Sequence, residues 1–266
     1  MTRGVRPSYI QHTDHEPSRA AKADLFARQV VATCGPWLSK PIDQVDVLDV
    51  GSGYGHTAAV LAESCRSVLG VEPASDLHRC AERLAGSMDN LTFRQGGVED
   101  ITEVEAFDLV VLDNVYEHLP DHAVALDRVS RALRPGGVLY LLAPNQLWPL
   151  EVHYGLPFLS GLPLPLANRY LRWSGRGTDY TDASYAPTYR GFAREMRAHP
   201  ELAWQCVLPG DPTATKAGTP VHYRMGMSLL RRYPTTWSIS KALLVIAVKE
   251  SRPSGQRPGC IEWRET

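Results

Sequence analysis

Asp46-Val-Leu-Asp-Val-Gly-Ser-Gly-Tyr-Gly-His56 (DVLDVGSGYGH) runs from an apolar, strand-like segment into three closely spaced glycines. Glycine accepts backbone conformations closed to other residues and lets a ligand approach the main chain. Two large enzyme classes begin this way, and glycine spacing separates them. A dinucleotide-binding turn reads Gly-x-Gly-x-x-Gly, its third glycine allowing close helix–strand packing beside a pyrophosphate. Gly51 and Gly53 fit that pattern, but His56 occupies the third place. The spacing present is Asp-x-Gly-x-Gly-x-Gly: Asp49, Gly51, Gly53 and Gly55.

Working outward, further strand-like runs lie at Ser67–Pro73, Leu91–Gly96, Phe107–Asn114 and Gly136–Asn145. Helices are expected over Thr57–Ser64, Ala74–Ala85 and Asp121–Leu133, the last stopped by Arg134-Pro135-Gly136-Gly137. Ahead of the turn, Ala20, Ala23, Leu25, Phe26 and Val30 give Ser18–Leu38 an apolar helical face, closed off by Pro41. Strands without polar alternation, interleaved with helices, predict a doubly wound, Rossmann-like α/β fold with helices on both faces of a mostly parallel sheet. Gln146 to Arg190 is rich in proline, glycine and aromatics and reads as a structureless insert, the kind of segment that serves as a lid or binding element. A helix over Tyr189–Ala198, a strand near Ala203–Leu208, a helix at Val221–Arg232 and a strand at Ala242–Lys249 complete the chain. Residues 1–17 and 251–266 are expected to be flexible, leaving 18–250 as one domain with 146–190 as its lid or acceptor region.

Composition narrows the function. Apolar residues make up 44% of the 266 and charged residues 21%, as in a soluble protein able to bury a substantial core. A net charge of −1 argues against binding to the nucleic-acid backbone. No signal-like apolar run follows Met1, and the runs Val138–Ala143 and Ala242–Val248 are too short to span a bilayer. Cys34, Cys65, Cys80, Cys206 and Cys260 are odd in number and lack Cys-x-x-Cys spacing, so neither a disulfide framework nor a zinc–thiolate site is expected, and the cytoplasm is the expected compartment.

A ligand without phosphate suits the observed turn. S-adenosylmethionine needs backbone near its amino-acid moiety and a carboxylate for its ammonium group, and Asp49 is placed to serve directly or through water. Glu72, 21 residues beyond Gly51, can accept both ribose hydroxyls, a feature that a dehydrogenase would share. Taken together, the segments VLDVGSGYG, GVEPA, QGGVEDI, FDLVVLDNVYEHLPD and LRPGGVLYLLAPN, in order over Asp46–Asn145, resemble the class I S-adenosylmethionine-dependent methyltransferases. The resemblance is to their small-molecule group, which includes ubiquinone-biosynthesis-type enzymes. It implies S-adenosylmethionine as cofactor and Ala242–Lys249 as a closing antiparallel strand. It also implies Asp49, Gly51, Ser52, Gly53, Gly55, Glu72, Pro73, Val98, Glu99, Asp113 and Asn114 as cofactor-binding residues. One departure stands out. Where the family often has Gly-Asp-Ala/Val-Glu, this chain has Gly96-Gly97-Val98-Glu99, so the aspartate that meets the adenine amino group is missing. The Val98 N–H, with Glu99 or Asp100, remains to contact the ring.

Methyl transfer is an in-line displacement that depends on a close, aligned nucleophile screened from water. Ligands of open α/β sheets lie at the carboxyl ends of the strands, which places Asp113, Asn114, Tyr116, Asn145 and the start of the insert near the chemistry. Glu117-His118 is a pair common in the family and suits a structural role at a helix entry; with no further metal-binding motif, no metal is expected. In PLEVHYGLP, Glu151 and His153 lie two apart and would project to one side of an extended segment. His153 is the candidate general base, with Glu151 positioning it or the substrate; alternatively the pair pins the insert through hydrogen bonds. The apolar run LPFLSGLPLPLANRYLRW suggests a greasy acceptor pocket or a membrane-facing surface, and a lid packed on its own domain is favoured over membrane contact. The expected function is methyl transfer to a small aromatic or hydrophobic acceptor, on oxygen before nitrogen or carbon. A non-catalytic S-adenosylmethionine-binding protein is the alternative, and His56 disfavours a nicotinamide oxidoreductase.

Overall fold

The computed structural model describes residues 16–86, 88–210 and 221–250. Seven strands, β1 (Asp46–Val50), β2 (Ser67–Glu72), β3 (Leu91–Gln95), β4 (Phe107–Asp113), β5 (Leu133–Pro144), β6 (Leu202–Cys206) and β7 (Ala242–Lys249), form one sheet in the order β3-β2-β1-β4-β5-β7-β6. The first five run parallel, and β7 inserts antiparallel between β5 and β6. The expected doubly wound α/β fold with an antiparallel last strand is therefore present. From β1 the chain winds out to β3 and returns to β4, so the strand order reverses between β1 and β4, where such sheets open a crevice.

The absence of polar alternation has a direct cause: successive residues of each central strand enter two different cores. Leu48, Val110, Leu139, Leu141, Leu243 and Val245 pack on one face, with Leu126 and Val129 of the helix His122–Ala132 and Phe192 and Met196 of the helix Tyr189–Met196. Val47, Leu109, Val138, Tyr140, Leu244 and Ile246 pack on the other, with Ala27, Val30 and Cys34 of the first described helix and Ala58 and Leu61 of the short helix after the glycine turn. In chain order the helices of the described residues are α1 (Glu16–Cys34), α2 (His56–Ala62), α3 (Ser75–Ala85), α4 (His122–Ala132), α5 (Leu164–Trp173), α6 (Tyr189–Met196) and α7 (Val221–Arg232). The Asp121 side chain caps α4 by accepting the Val124 N–H at 3.0 Å.

Three expectations need correction. Helix α1 stops at Cys34, because Gly35 and Pro36 break it into a 3-10 turn well before Pro41. Its buried face is Ala23, Ala27, Val30 and Cys34, whereas Ala20 is exposed. The insert is not structureless. It contains α5 and two 3-10 turns, Leu159–Gly161 and Thr181–Ala183, around its own small core of Tyr154, Leu156, Leu159, Ala167, Leu171, Tyr180 and Ala183. Pro163 and Pro165 hid that helix, yet they sit at its cap and first turn, where a missing N–H costs no helical bond. Of the two ends expected to be flexible, Glu16 and Pro17 already belong to α1; the rest lie outside the described residues, as does Cys260. Cys34, Cys65, Cys80 and Cys206 are free thiols. No described helix is long and apolar enough to cross a membrane.

Phe192 ties the far end of the sheet to the 3-10 turn Tyr116–His118. It is fully buried, edge-on to Trp204 at 5.2 Å between ring centroids and to Tyr116 at 5.7 Å. Phe192→Ala is expected to lower stability by about 3–5 kcal/mol, seen in urea titration as a lower midpoint with an unchanged slope.

Candidate active site

The turn after β1 lies at the reversal of strand order. Gly51, Gly53 and Gly55 have φ of +71°, +58° and +82°, conformations that residues with a Cβ rarely adopt. At Gly51 space is equally decisive, since a Cβ there would stand 2.6 Å from Val115 Cγ2. The turn is tied to β2 by the Gly51 N–H donating to the Val71 carbonyl at 2.7 Å. Glu72 locks it further: its carboxylate accepts the Gly53 N–H at 2.9 Å and the Ala74 N–H at 2.8 Å.

A cavity of about 790 Å³ opens beside this turn. Asp49, Gly51, Ser52, Gly53, Glu72, Pro73, Val98, Glu99, Asp113 and Asn114 all line it. Of the residues the sequence singled out for the cofactor, Gly55 alone does not. Its role is packing, as a Cβ there would stand 2.6 Å from Phe93 Cζ and 2.8 Å from Ala81 Cβ. In the loop after β3, the Asp100 carboxylate accepts the Gly97 N–H at 3.0 Å and so closes the turn.

The electrostatics of the cavity favour a cation. Burial raises the Asp49 carboxyl to about 7, helped by the nearby charges of Asp113 and Glu72. Burial also raises Asp113 to about 6 and moves Glu72 upward. Three carboxylates converging in one crevice repel an anion, and a cationic ligand would favour their ionised forms. Arg19 of α1 also lines the cavity, and its charge bears on Asp113, His118 and His153. Neither motif nor spacing points to Arg19, which reaches the site because α1 packs across the sheet.

Next to the cavity the fold brings together two segments. Glu117 and His118, in the 3-10 turn Tyr116–His118, meet His153 of the insert. Glu117 Oε1 lies 3.8 Å from His118 Nε2 and 3.6 Å from His153 Nε2. Burial raises the Glu117 carboxyl to about 8 and lowers the imidazoles of His118 and His153 to about 4 and about 3. The insert is fastened here by the Tyr185 N–H donating to the Glu117 carbonyl at 3.2 Å.

Glu151 and His153 do not lie on an extended segment. They form a turn in which the buried Glu151 carboxylate accepts the N–H of His153 at 3.0 Å and of Tyr154 at 2.6 Å. Burial raises the Glu151 carboxyl. Two residues expected near the chemistry are turned away from it. The Tyr116 hydroxyl donates to Glu195 at 2.7 Å with the ring stacked on His122, and Asn145 Nδ2 donates to the Ser238 carbonyl at 3.0 Å. No described residue of the insert lines the cavity, so its lid role is not drawn from that wall.

Residues 48–141 match the family described as "Methyltransferase domain". The chain is 31% identical over 147 residues to the ubiquinone biosynthesis O-methyltransferase of Nitrobacter winogradskyi, covering 53% of this chain and 51% of that protein. It is 32% identical over 140 residues to the trans-aconitate 2-methyltransferase of Azoarcus sp., covering 52% and 49%. The chain thus spans about half the length of the curated relatives it matches. The fold matches the crystal structure of an S-adenosylmethionine-dependent methyltransferase from Mesorhizobium loti with a TM-score of 0.53 at 15% identity, over 85% of this chain and 100% of that one. Sheet order, glycine turn and family match agree: residues 48–141 are similar to a methyltransferase domain and lie in a doubly wound α/β sheet of the fold seen in S-adenosylmethionine-dependent methyltransferase structures.

Asp49 supplies a pH test. Its raised carboxyl keeps a proton up to about pH 7, whereas an ammonium partner selects the carboxylate. Calorimetric affinity for S-adenosylmethionine is expected to rise by up to about tenfold per unit between about pH 5.5 and 7. Asp49→Asn should flatten the rise; a flat wild-type profile would remove Asp49 from the ammonium site.

Proposed function

We propose that the chain transfers a methyl group from S-adenosylmethionine to a small-molecule acceptor. The observation that supports this most is the convergence of Asp49, Glu72 and Asp113 on the glycine turn. A sulfonium and an ammonium are matched by these carboxylates, whereas the diphosphate of NAD would be repelled. Glu72, pinned by two backbone N–H groups, has its carboxylate already oriented for ribose hydroxyls. Calorimetry should show S-adenosylmethionine binding and no NAD binding, and Glu72→Ala should weaken the former about 10- to 100-fold. Binding of NAD in its place would overturn the proposal.

The same proposal places acceptor activation at the group formed by Glu117, His118 and His153. Relatives named for ubiquinone biosynthesis and for trans-aconitate act on unlike acceptors, so the acceptor cannot be carried over from them. A small hydroxyl-bearing acceptor, aromatic or hydrophobic, suits a site that must draw off a proton beside an apolar insert. His153 is the residue proposed to act on that hydroxyl, and Glu151 is its positioning residue, through the turn it closes. His153→Ala should abolish formation of S-adenosylhomocysteine with a hydroxyl acceptor while sparing cofactor affinity; near-normal turnover would remove His153 from the chemistry.

A further inference from the structure

Glu117 is the most deeply buried carboxyl among the described residues. It is 0% exposed, and neither carboxylate oxygen receives a hydrogen bond from another described residue. A buried carboxyl without donors is costly unless something charged or polar meets it. Among the described residues, two imidazole nitrogens face it, at 3.8 Å from His118 and 3.6 Å from His153, and one ligand atom from each of the three residues lies within 4.8 Å of the others. His118 Nδ1 lies 2.5 Å from the Asp182 carbonyl oxygen. Only a protonated Nδ1 can make that contact favourably, which leaves the Nε2 lone pair directed into the group.

We propose that Glu117, His118 and His153 form a binding site for a first-row divalent cation of the zinc type. Two imidazole nitrogens and one carboxylate oxygen suit Zn²⁺ or Co²⁺, whereas Mg²⁺ and Ca²⁺ take oxygen ligands. A tetrahedral ion with bonds of about 2.0–2.1 Å holds its ligand atoms about 3.3 Å apart. The carboxylate oxygen is 3.8 and 3.6 Å from the two imidazole nitrogens, all three ligand atoms lie within 4.8 Å of one another, and the side chains close in on the ion as it binds. Outer partners of the usual kind are present: the Asp182 carbonyl orients the His118 ring, and Glu151 closes the turn that carries His153. Three protein ligands leave a fourth position open, the pattern of catalytic zinc sites. His118 belongs both to this group and to the cavity wall, so the site adjoins the cofactor crevice.

The role of the cation rests on the methyl-transfer proposal. An acceptor hydroxyl bound at the open position has its pKa lowered and releases its proton to solvent. An oxygen lone pair then forms the bond to the methyl carbon. The carbon–sulfur bond breaks with its electron pair remaining on sulfur, giving the methyl ether, S-adenosylhomocysteine and one proton, with no change in the oxidation state of the metal. His153 then acts on the acceptor as a ligand of the cation.

The test reads metal binding directly. The full chain, freed of metal with a chelator, is titrated with zinc chloride by calorimetry and with Co²⁺ by visible absorption. About one Zn²⁺ per chain is expected, with a d–d band characteristic of four-coordinate Co²⁺. His153→Ala and the near-isosteric Glu117→Gln should each weaken zinc binding about 10²-fold or more. Cooperative melting and retained S-adenosylmethionine affinity exclude misfolding of either variant. Substoichiometric zinc in the wild type, or unchanged zinc affinity in a folded variant, overturns the site. A chain that binds S-adenosylmethionine but no zinc loses only the metal site; one that binds zinc but no S-adenosylmethionine loses only the methyl-transfer proposal.

Discussion

The contact between Gly51 and Val115 is the constraint on which the crevice depends. Val115 fills the space a Cβ at position 51 would need, so the segment after β4 closes directly against the turn after β1. That approach requires both a residue without a side chain and a φ of +71°. It holds Asp113, at the end of β4, across from Asp49 and Glu72. The hydrogen bonds from the Gly51 N–H to the Val71 carbonyl and from the Gly53 N–H to the Glu72 carboxylate extend the same closure to β2.

Crowding of carboxylates follows from that geometry. In an unliganded crevice the charged forms of Asp49, Glu72 and Asp113 are disfavoured by burial and, for Asp49, by its acidic neighbours. Such a site stores a preference for positive charge. Arg19 partly answers it from one side, and a sulfonium cofactor would answer it from within. The chain departs from a dinucleotide turn in its glycine spacing, with His56 in the place of the third glycine.

The insert works by fastening to the domain. Its own core makes it a folded unit, and its contacts with the turn at Tyr116–His118 bring His153 to Glu117. The donor half of the chain follows the relatives. The insert, whose composition resembles a loop, lies beyond the stretch matched to the methyltransferase-domain family.

Asp49, the spaced glycines, Glu72 and the five apolar strands were legible in the sequence because each depends on local conditions: a positive φ, a strand end, or burial on both faces of a sheet. The antiparallel place of β7 came through resemblance to a family. Other features depended on contacts between distant segments and were not legible. Proline at a helix start masked α5, since the rule that excludes it from helix interiors does not apply in the first turn. Tyr116 and Asn145 were misplaced because strand-end position does not say which way a side chain leaves. The Glu117–His118 pair carried no third ligand along the chain; His153, 35 residues further on, reaches it only when the insert folds back. The sequence by itself determined the donor crevice, since strand, turn and acidic residue are set by neighbours within a few positions. The tertiary structure alone decided how Glu117, His118 and His153 meet, because their distances are set by packing of an insert whose sequence spacing carries no such information.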